Sequence, residues 1–255
     1  MKIPLNTSEK NIKLFFKKIG LEKILNLSND KKNLSVYPPN LNDLYFIYKF
    51  IILNKRLKIL EFGTGFSSLI LSMALKSNAK KYGNINFKEF GLINPFSHFI
   101  VDDQKKYINI SKRRIEKFSS KDICKPIFKY SPCKLILFNN LFTNSYESLP
   151  NIVPDFIYLD GPDTNMINNS IGGINVSKKE IFPPLSIDIL KIEYYLNPGT
   201  IIVVDGRYAN SIFLKNNLQR NWIYKYNSII DQHYFYLNEK KIGIKSRKLI
   251  NFYNS

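Results

Sequence analysis

Five short apolar runs alternate along the chain with longer stretches in which apolar residues recur every three or four positions. The runs are LKILEF, HFIVDD, PIFKYSP, PDFIYLD and TIIVVDGR. Runs of this length predict strands buried on both faces, and the stretches between them predict amphipathic helices. Two more helices are predicted before the first strand, at residues 8–26 and 41–55. The alternating aromatic residues of 223–239 predict two antiparallel edge strands.

Strands separated by helices are typical of a mostly parallel sheet that helices cover on both faces. We therefore predict an α/β fold of the Rossmann-like, doubly wound kind. Its mostly parallel sheet has seven strands, with an antiparallel C-terminal edge and additional N-terminal helices. Three segments interrupt the regular alternation: an irregular excursion at 78–96, a small hairpin within 133–148, and a polar segment before a helix at 183–199.

Nothing in the sequence divides the chain, because no internal repeat and no linker rich in Gly, Ser or Pro is present. We expect a single domain made of a helical N-terminal extension (1–54), a core (55–240) and a basic tail (241–255). The oligomeric state cannot be deduced from these patterns.

The net charge of +18 suggests nucleic acid as a partner, since such a field attracts phosphates. The lysines are dispersed, however, and the densest cluster, SKRRIEK at 111–117, is typical of a solvated helix face. A nucleic-acid partner is therefore not expected. No apolar run reaches the length of a membrane helix, and Cys124 and Cys133 have no metal-ligand spacing, so we expect a cytoplasmic protein without a membrane partner.

The carboxyl ends of the predicted strands carry most of the candidate chemistry. In doubly wound sheets, ligands bind outside these ends. Four of the five strands end in acids, and the full set at the strand ends is Glu61 with Gly63 and Gly65, then Asp102 and Asp103, then Ser131, then Asp160, then Asp205 with Arg207.

Residues 63–65, the glycine turn, join the first strand to a helix that begins near Ser67 and Ser68. A dinucleotide site would have a third glycine at Ser68, and a carboxylate at Glu61 would repel its pyrophosphate. S-adenosylmethionine has no phosphate and carries an ammonium and a sulfonium, which an acid attracts. The glycines would admit the amino-acid end of that ligand, and the helix N-terminus suits its carboxylate.

The stretch LEFGTGFSS resembles the first motif of class I S-adenosylmethionine-dependent methyltransferases, and the resemblance extends from about residue 41 to 238. It implies an enzyme that uses S-adenosylmethionine and in which the acid closing the second strand, Asp102, holds the ribose. Asp103 and Glu89 are alternatives, because Asp102 lies unusually far from the first motif. The implied cofactor-binding residues are Glu61, Gly63, Thr64, Gly65, Ser67, Ser68, Asp102, Ser131 and Asp160.

Two further motifs, YLDGPD and VVDGRYAN, are similar to an uncharacterised bacterial branch of this fold that is often associated with polysaccharide modification. This resemblance implies O-methylation of a small molecule or of a sugar or polysaccharide precursor. A nicotinamide-dependent oxidoreductase and a non-catalytic nucleic-acid-binding protein on the same scaffold are the alternatives.

Two catalytic arrangements are open. In one, Asp160 and Asp205 bind Mg²⁺, as in catechol-type and macrolide-sugar O-methyltransferases; Gly206 stands where those enzymes have another ligand, so Asp163 or Asn210 would complete the shell. In the other, which we favour, no metal is present. Asp160 or His233 is then the base, and Arg207 binds the acceptor.

Overall fold

A central sheet of seven strands dominates the computed structural model, which describes residues 1–22, 38–118, 123–163, 166–176, 185–240 and 242–255. The ten strands of the described chain are β1 (Lys58–Phe62), β2 (Ser97–Asp102), β3 (Ile127–Tyr130), β4 (Cys133–Phe138), β5 (Leu141–Tyr146), β6 (Phe156–Leu159), β7 (Leu185–Ser186), β8 (Ile201–Asp205), β9 (Trp222–Asn227) and β10 (Gln232–Leu237). The helices are α1 (Glu9–Lys18), α2 (Leu41–Leu53), α3 (Phe66–Tyr82), α4 (Lys105–Phe118), α5 (Asp188–Ile192), α6 (Tyr208–Asn217) and α7 (Ile244–Asn254).

The strand order of the central sheet is β3-β2-β1-β6-β8-β10-β9. The first five strands are parallel to one another, whereas β10 runs antiparallel to both β8 and β9. The order reverses between β1 and β6, so the carboxyl ends of these two strands flank the switch point. The predicted Rossmann-like sheet, with its antiparallel C-terminal edge, is confirmed.

Helices α2 and α3 cover one face of this sheet. Helix α3 is buried along most of its length because it lies between the strands and α2, where Ile47, Phe50 and Ile51 are also buried. On the opposite face, Leu60 and Phe62 of β1 pack in a second cluster with residues of the later elements, such as Ile189 and Leu214. The first strand is therefore a nearly continuous apolar run, because it is buried on both faces. No helix in the described ranges is long and apolar enough to cross a membrane.

The predicted hairpin is confirmed as β4 and β5, which pair around Asn139 and Asn140. Both asparagines have positive φ angles, 49° and 63°, which suit a tight two-residue hairpin turn. Strand β7 adds to β5 and makes a second, three-stranded sheet. The hairpin therefore leaves the central sheet after β3.

The helix predicted at 183–199 is wrong in its extent; residues 183 and 184 lie outside the described ranges. The described part contains β7, then the short helix α5 and a 3₁₀ turn at Glu193–Tyr195. Asp188, at the start of α5, accepts hydrogen bonds from the Tyr146 backbone and the Ser145 hydroxyl. These bonds hold the segment against the hairpin sheet before it becomes helical.

Other boundaries also differ from the predictions. Helix α1 is confirmed within 8–26, and residues 23–26 lie outside the described chain. Helix α3 continues into the excursion at 78–96, which also contains a 3₁₀ turn, Phe87–Phe90. Residues 244–254 of the basic tail form α7, which buries Leu249 and Phe252 against that turn.

A buried carboxylate links α7 to the sheet. Asp155, just before β6, accepts hydrogen bonds from the backbone of Leu57 and Lys58 and from the Tyr253 hydroxyl. The Arg56 guanidinium lies 3.9 Å from the Tyr253 ring centroid and donates to the Gly199 carbonyl. This cluster lies at the amino end of β1 and leaves the carboxyl ends open for a site.

Candidate functional site

A cavity of about 1010 Å³ opens at the carboxyl ends of β1, β2, β6 and β8. The N-terminal part of α2 and the turn between β9 and β10 complete its wall. Eight of the predicted site residues lie on the wall, and they are Gly63, Thr64, Gly65, Ser67, Asp102, Asp160, Asp205 and Arg207. The remaining four, Glu61, Ser68, Ser131 and His233, are absent from it.

The glycine turn is shaped by contact between neighbouring strand ends. Gly63 has φ +88°, and a Cβ on it would lie 2.9 Å from backbone atoms of Asp160 and Gly161. Gly65 has an extended φ of −162°. A Cβ there would have only Ser67 Oγ within 4 Å, at 3.7 Å, so the space beside Gly65 is open to the cavity.

Glu61 lies beneath the glycine turn and is completely buried. Its Oε1 accepts a hydrogen bond of 2.5 Å from Ser67 Oγ, and its Oε2 is 3.1 Å from His98 Nε2. His98 Nδ1 is in turn 2.9 Å from Ser72 Oγ. Glu61 therefore reaches the cavity only through Ser67, and sequence reasoning missed the role of His98.

Two acids follow the end of β2 on the cavity wall. Asp102 Oδ1 accepts a hydrogen bond of 2.6 Å from Gln104 N, the residue just before α4. Burial raises the pKa of Asp102 to about 7, although the Gln104 and Thr64 N–H groups oppose the shift. Burial also raises the pKa of Asp103, whose Oδ1 has no hydrogen-bond partner within the described chain. Glu89 lies off the wall and pairs with Lys248.

Asp160, at the end of β6, has half of its side chain exposed to the cavity. Partial removal from bulk water raises its pKa to about 7; the Asp205 carboxylate adds to the shift and Arg207 opposes it. The Arg207 guanidinium donates to the carbonyl oxygens of Asp160 and Pro162 and thereby holds the loop after β6.

Asp205, at the end of β8, has both carboxylate oxygens occupied. Oδ2 accepts a hydrogen bond of 2.6 Å from the Tyr158 hydroxyl, and Oδ1 accepts one of 3.3 Å from Gln232 Nε2. Burial raises the pKa of Asp205, and these two hydrogen bonds oppose the shift. The Asn210 amide is paired with the Ser186 backbone. Within the described residues, no group of three or more His, Cys, Asp or Glu side chains is arranged to hold a metal ion.

Asp43, on the first turn of α2, is a wall residue that sequence reasoning missed. Burial raises its pKa to about 8, and the carboxylates of Asp205, Asp160 and Asp231 add to the shift. Its Oδ1 is buried without a hydrogen-bond partner among the described residues. The available signal was an acid placed directly before the largely apolar stretch LYFIYKFIIL.

Three of the residues that are not on the wall have other partners. Ser68 Oγ lies 2.9 Å from Thr64 Oγ1, and Ser131 Oγ accepts a hydrogen bond from Ser148 N. His233 is enclosed between Tyr224 and Tyr226, and burial lowers its pKa. Its Nε2 is buried without a hydrogen-bond partner in the described chain, and His233 is not among the residues that line the cavity.

The charge of the cavity wall is opposite to that of the whole chain. Within the described ranges the wall has one arginine and no lysine, and it has seven aspartates: Asp43, Asp102, Asp103, Asp160, Asp163, Asp205 and Asp231. Arg207 is bonded to backbone carbonyls. Such a cavity attracts cations and repels phosphates.

A scan of protein-family models and a sequence search of curated proteins give no match. The solved structures that match this chain include the following three. Cofactor-bound Rv0187 from MTB gives a TM-score of 0.47 at 12% identity, over 92% of this chain and 100% of that one. The O-methyltransferase from Bacillus cereus in complex with SAH gives a TM-score of 0.41 at 13% identity, over 92% of this chain and 93% of that one.

The third, the SAH-bound Podospora anserina methyltransferase PaMTH1, gives 0.47 at 12% identity, over 94% of this chain and 100% of that one. Likenesses at these identities and TM-scores carry neither an activity nor the role of a residue over to this chain.

Proposed function

We propose that this protein is an S-adenosylmethionine-dependent methyltransferase whose cavity binds the methyl donor beside the glycine turn. The observation that carries the proposal is the acidic wall at the carboxyl ends of a doubly wound sheet. S-adenosylmethionine is a net cation without phosphates, so it suits this wall. Nicotinamide dinucleotides and nucleic acids bring phosphates, which the wall repels.

The residues present fit this ligand. The open space beside Gly65 admits a ligand backbone, and the unpartnered Oδ1 of Asp103 is an acceptor for a ligand hydroxyl or amino group. Asp102 and Asp103 would hold the ribose end, and Ser67 with the N-terminus of α3 would hold the amino-acid end. Asp160, at the end of the neighbouring strand β6, lies on the same cavity wall.

When bound, S-adenosylmethionine would supply an electrophilic methyl group on a sulfonium. The chain must then orient an acceptor and receive its proton. We propose Asp43 as the base, because it lies on the cavity wall and its buried Oδ1 has no hydrogen-bond partner in the described chain. Burial raises its pKa to about 8, which makes the carboxylate a stronger base than an exposed aspartate. Asp205 is a poorer candidate, because both of its oxygens accept hydrogen bonds from Tyr158 and Gln232. His233 does not line the cavity.

We propose that the acceptor is a hydroxyl oxygen of a small molecule, such as a sugar or polysaccharide precursor. Within the described ranges the wall offers such a molecule seven aspartates and one arginine, and that arginine donates to backbone carbonyls, so an acceptor without phosphate or carboxylate suits it. Asp43→Asn should lower kcat by at least about 100-fold. The affinity for S-adenosylhomocysteine should stay within about threefold of the original chain, because Asp43 faces the acceptor.

Isothermal titration with S-adenosylhomocysteine and, separately, with NAD tests the donor site. We expect one binding site for the former and none for the latter. Asp102→Asn should weaken binding at least about tenfold, or about 1.4 kcal/mol. Glu89→Gln is the matched control, because Glu89 lies off the cavity wall. This variant should bind S-adenosylhomocysteine as tightly as the original chain does. Binding of NAD alone would instead support an oxidoreductase.

A further inference from the structure

The buried pair Glu61 and His98 has no evident packing reason. Both side chains are completely buried between the sheet and α3. Burying a carboxylate beside an imidazole costs free energy that an apolar pair of the same volume would avoid. The pair is nevertheless built into strands β1 and β2 directly below the glycine turn, which suggests a role at the turn.

The hydrogen-bond directions in this group are fixed by chemistry. A carboxylate only accepts hydrogen bonds, so His98 Nε2 donates to Glu61 Oε2 and Ser67 Oγ donates to Glu61 Oε1. Ser72 Oγ bonds to the other ring nitrogen of His98 and holds the ring in this orientation. With both oxygens engaged, the Glu61 carboxylate is fixed in place.

The consequence reaches the cavity at Ser67. A serine hydroxyl has one proton, and Ser67 donates it in the hydrogen bond to Glu61. The Ser67 oxygen on the cavity wall therefore offers only lone pairs, so it accepts hydrogen bonds from a ligand and does not donate. Beside it, the first backbone N–H groups of α3, which no side chain caps, can donate to an anion.

We propose that His98 is a positioning residue which, through Glu61, makes Ser67 an acceptor for the α-ammonium group of the ligand. An acceptor oxygen beside free helix N–H groups matches the ammonium and carboxylate of an α-amino acid. This inference rests on the proposed function, because the ligand is taken to be S-adenosylmethionine or its product. It gives Glu61 an indirect role, through the Ser67 hydroxyl.

Titration calorimetry with two ligands tests the inference. S-adenosylhomocysteine has the amino-acid group, and 5′-methylthioadenosine is the same nucleoside thioether without it. Ser67→Ala should lower the affinity for S-adenosylhomocysteine about tenfold, and the affinity for methylthioadenosine should stay within about twofold of the original value. His98→Ala should give the same selective loss of affinity for S-adenosylhomocysteine. His98→Gln can still donate a hydrogen bond to Glu61, so this variant should keep most of that affinity.

Ser68→Ala is the matched control, because this neighbouring serine bonds to Thr64 Oγ1 and Gly65 N in the glycine turn and not to Glu61. It should change both affinities by the same factor. If Ser67→Ala weakened the binding of both ligands by the same factor, or changed neither affinity, the inference would be overturned. The proposed donor site would be unaffected by that result. If neither ligand bound the original chain, the proposed function itself would fail. Should His98→Ala not fold, Ser67→Ala and His98→Gln decide the matter.

Discussion

Substituting alanine at Gly63 and at Gly65 should separate the structural glycine of the turn from the ligand-facing one. At Gly63 the φ of +88° disfavours any other residue, and the added Cβ would lie 2.9 Å from the backbone of Asp160 and Gly161. Backbone strain of this kind costs about 1–3 kcal/mol, and the contact adds overpacking of about 1–3 kcal/mol. We therefore expect Gly63→Ala to lose about 3 kcal/mol, or roughly 6–12 °C in Tm.

Gly65→Ala should behave in the opposite way. Its extended φ of −162° accepts alanine, and the new methyl group would have only Ser67 Oγ within 4 Å. We expect Tm to stay within about 2 °C, since a compatible Gly→Ala change is neutral or slightly stabilising. The methyl group would occupy space that the ligand needs, so affinity for S-adenosylhomocysteine should fall at least about tenfold.

Calorimetric unfolding and isothermal titration of both variants measure these effects. Unchanged binding by Gly65→Ala would refute the placement of the ligand against the turn. An unchanged Tm for Gly63→Ala would refute the reasoning from its φ angle and its contact with the loop after β6.

Three further outcomes are expected. Because the folded-state pKa of Asp43, about 8, exceeds its ordinary value of 3.8, the folded protein holds this proton more tightly than the unfolded chain does. Stability should therefore fall as pH rises between about 4 and 8, and Asp43→Asn should flatten this decline of Tm; equal slopes would contradict it. Asp155→Ala leaves the buried N–H groups of Leu57 and Lys58 and the Tyr253 hydroxyl without their acceptor. It should cost about 3–5 kcal/mol, or roughly 10 °C in Tm, whereas Tyr253→Phe should cost about 1 kcal/mol; denaturant unfolding that ranked them equally would be inconsistent with this cluster. Titration with Mg²⁺ should show no site tighter than about 1 mM, since both Asp205 oxygens are occupied, and a tighter site that Asp205→Asn removed would revive the metal-dependent arrangement.

The sheet could be predicted from the sequence because its signals are local. Continuous apolar runs such as IIVVD report strands buried on both faces, and residues that follow such strands in a doubly wound fold converge at one edge. Asp160 and Asp205 were placed on the cavity wall by this reasoning alone. The hairpin was also local, because Asn139 and Asn140 tolerate the positive φ angles of its turn.

The partners of the site residues could not be predicted, because they depend on contacts distant in sequence. The position of Glu61 in the sequence predicts a direct contact with the ligand, but in the fold its two oxygens accept hydrogen bonds from Ser67 and His98. His98 itself was a signal, since a polar residue near the start of a buried strand must find a partner. Asp43 gave a similar signal within an apolar helix, but only the packing of α2 brings it to the cavity.

The crystal structure of the protein grown with S-adenosylhomocysteine tests the central claim most directly. The account predicts density in the cavity at the carboxyl ends of β1, β2 and β6, with ribose hydroxyls at Asp102 and Asp103. The α-ammonium nitrogen should lie within about 3.2 Å of Ser67 Oγ. A cavity that stayed empty at saturating ligand, or a ligand bound elsewhere on the chain, would contradict it.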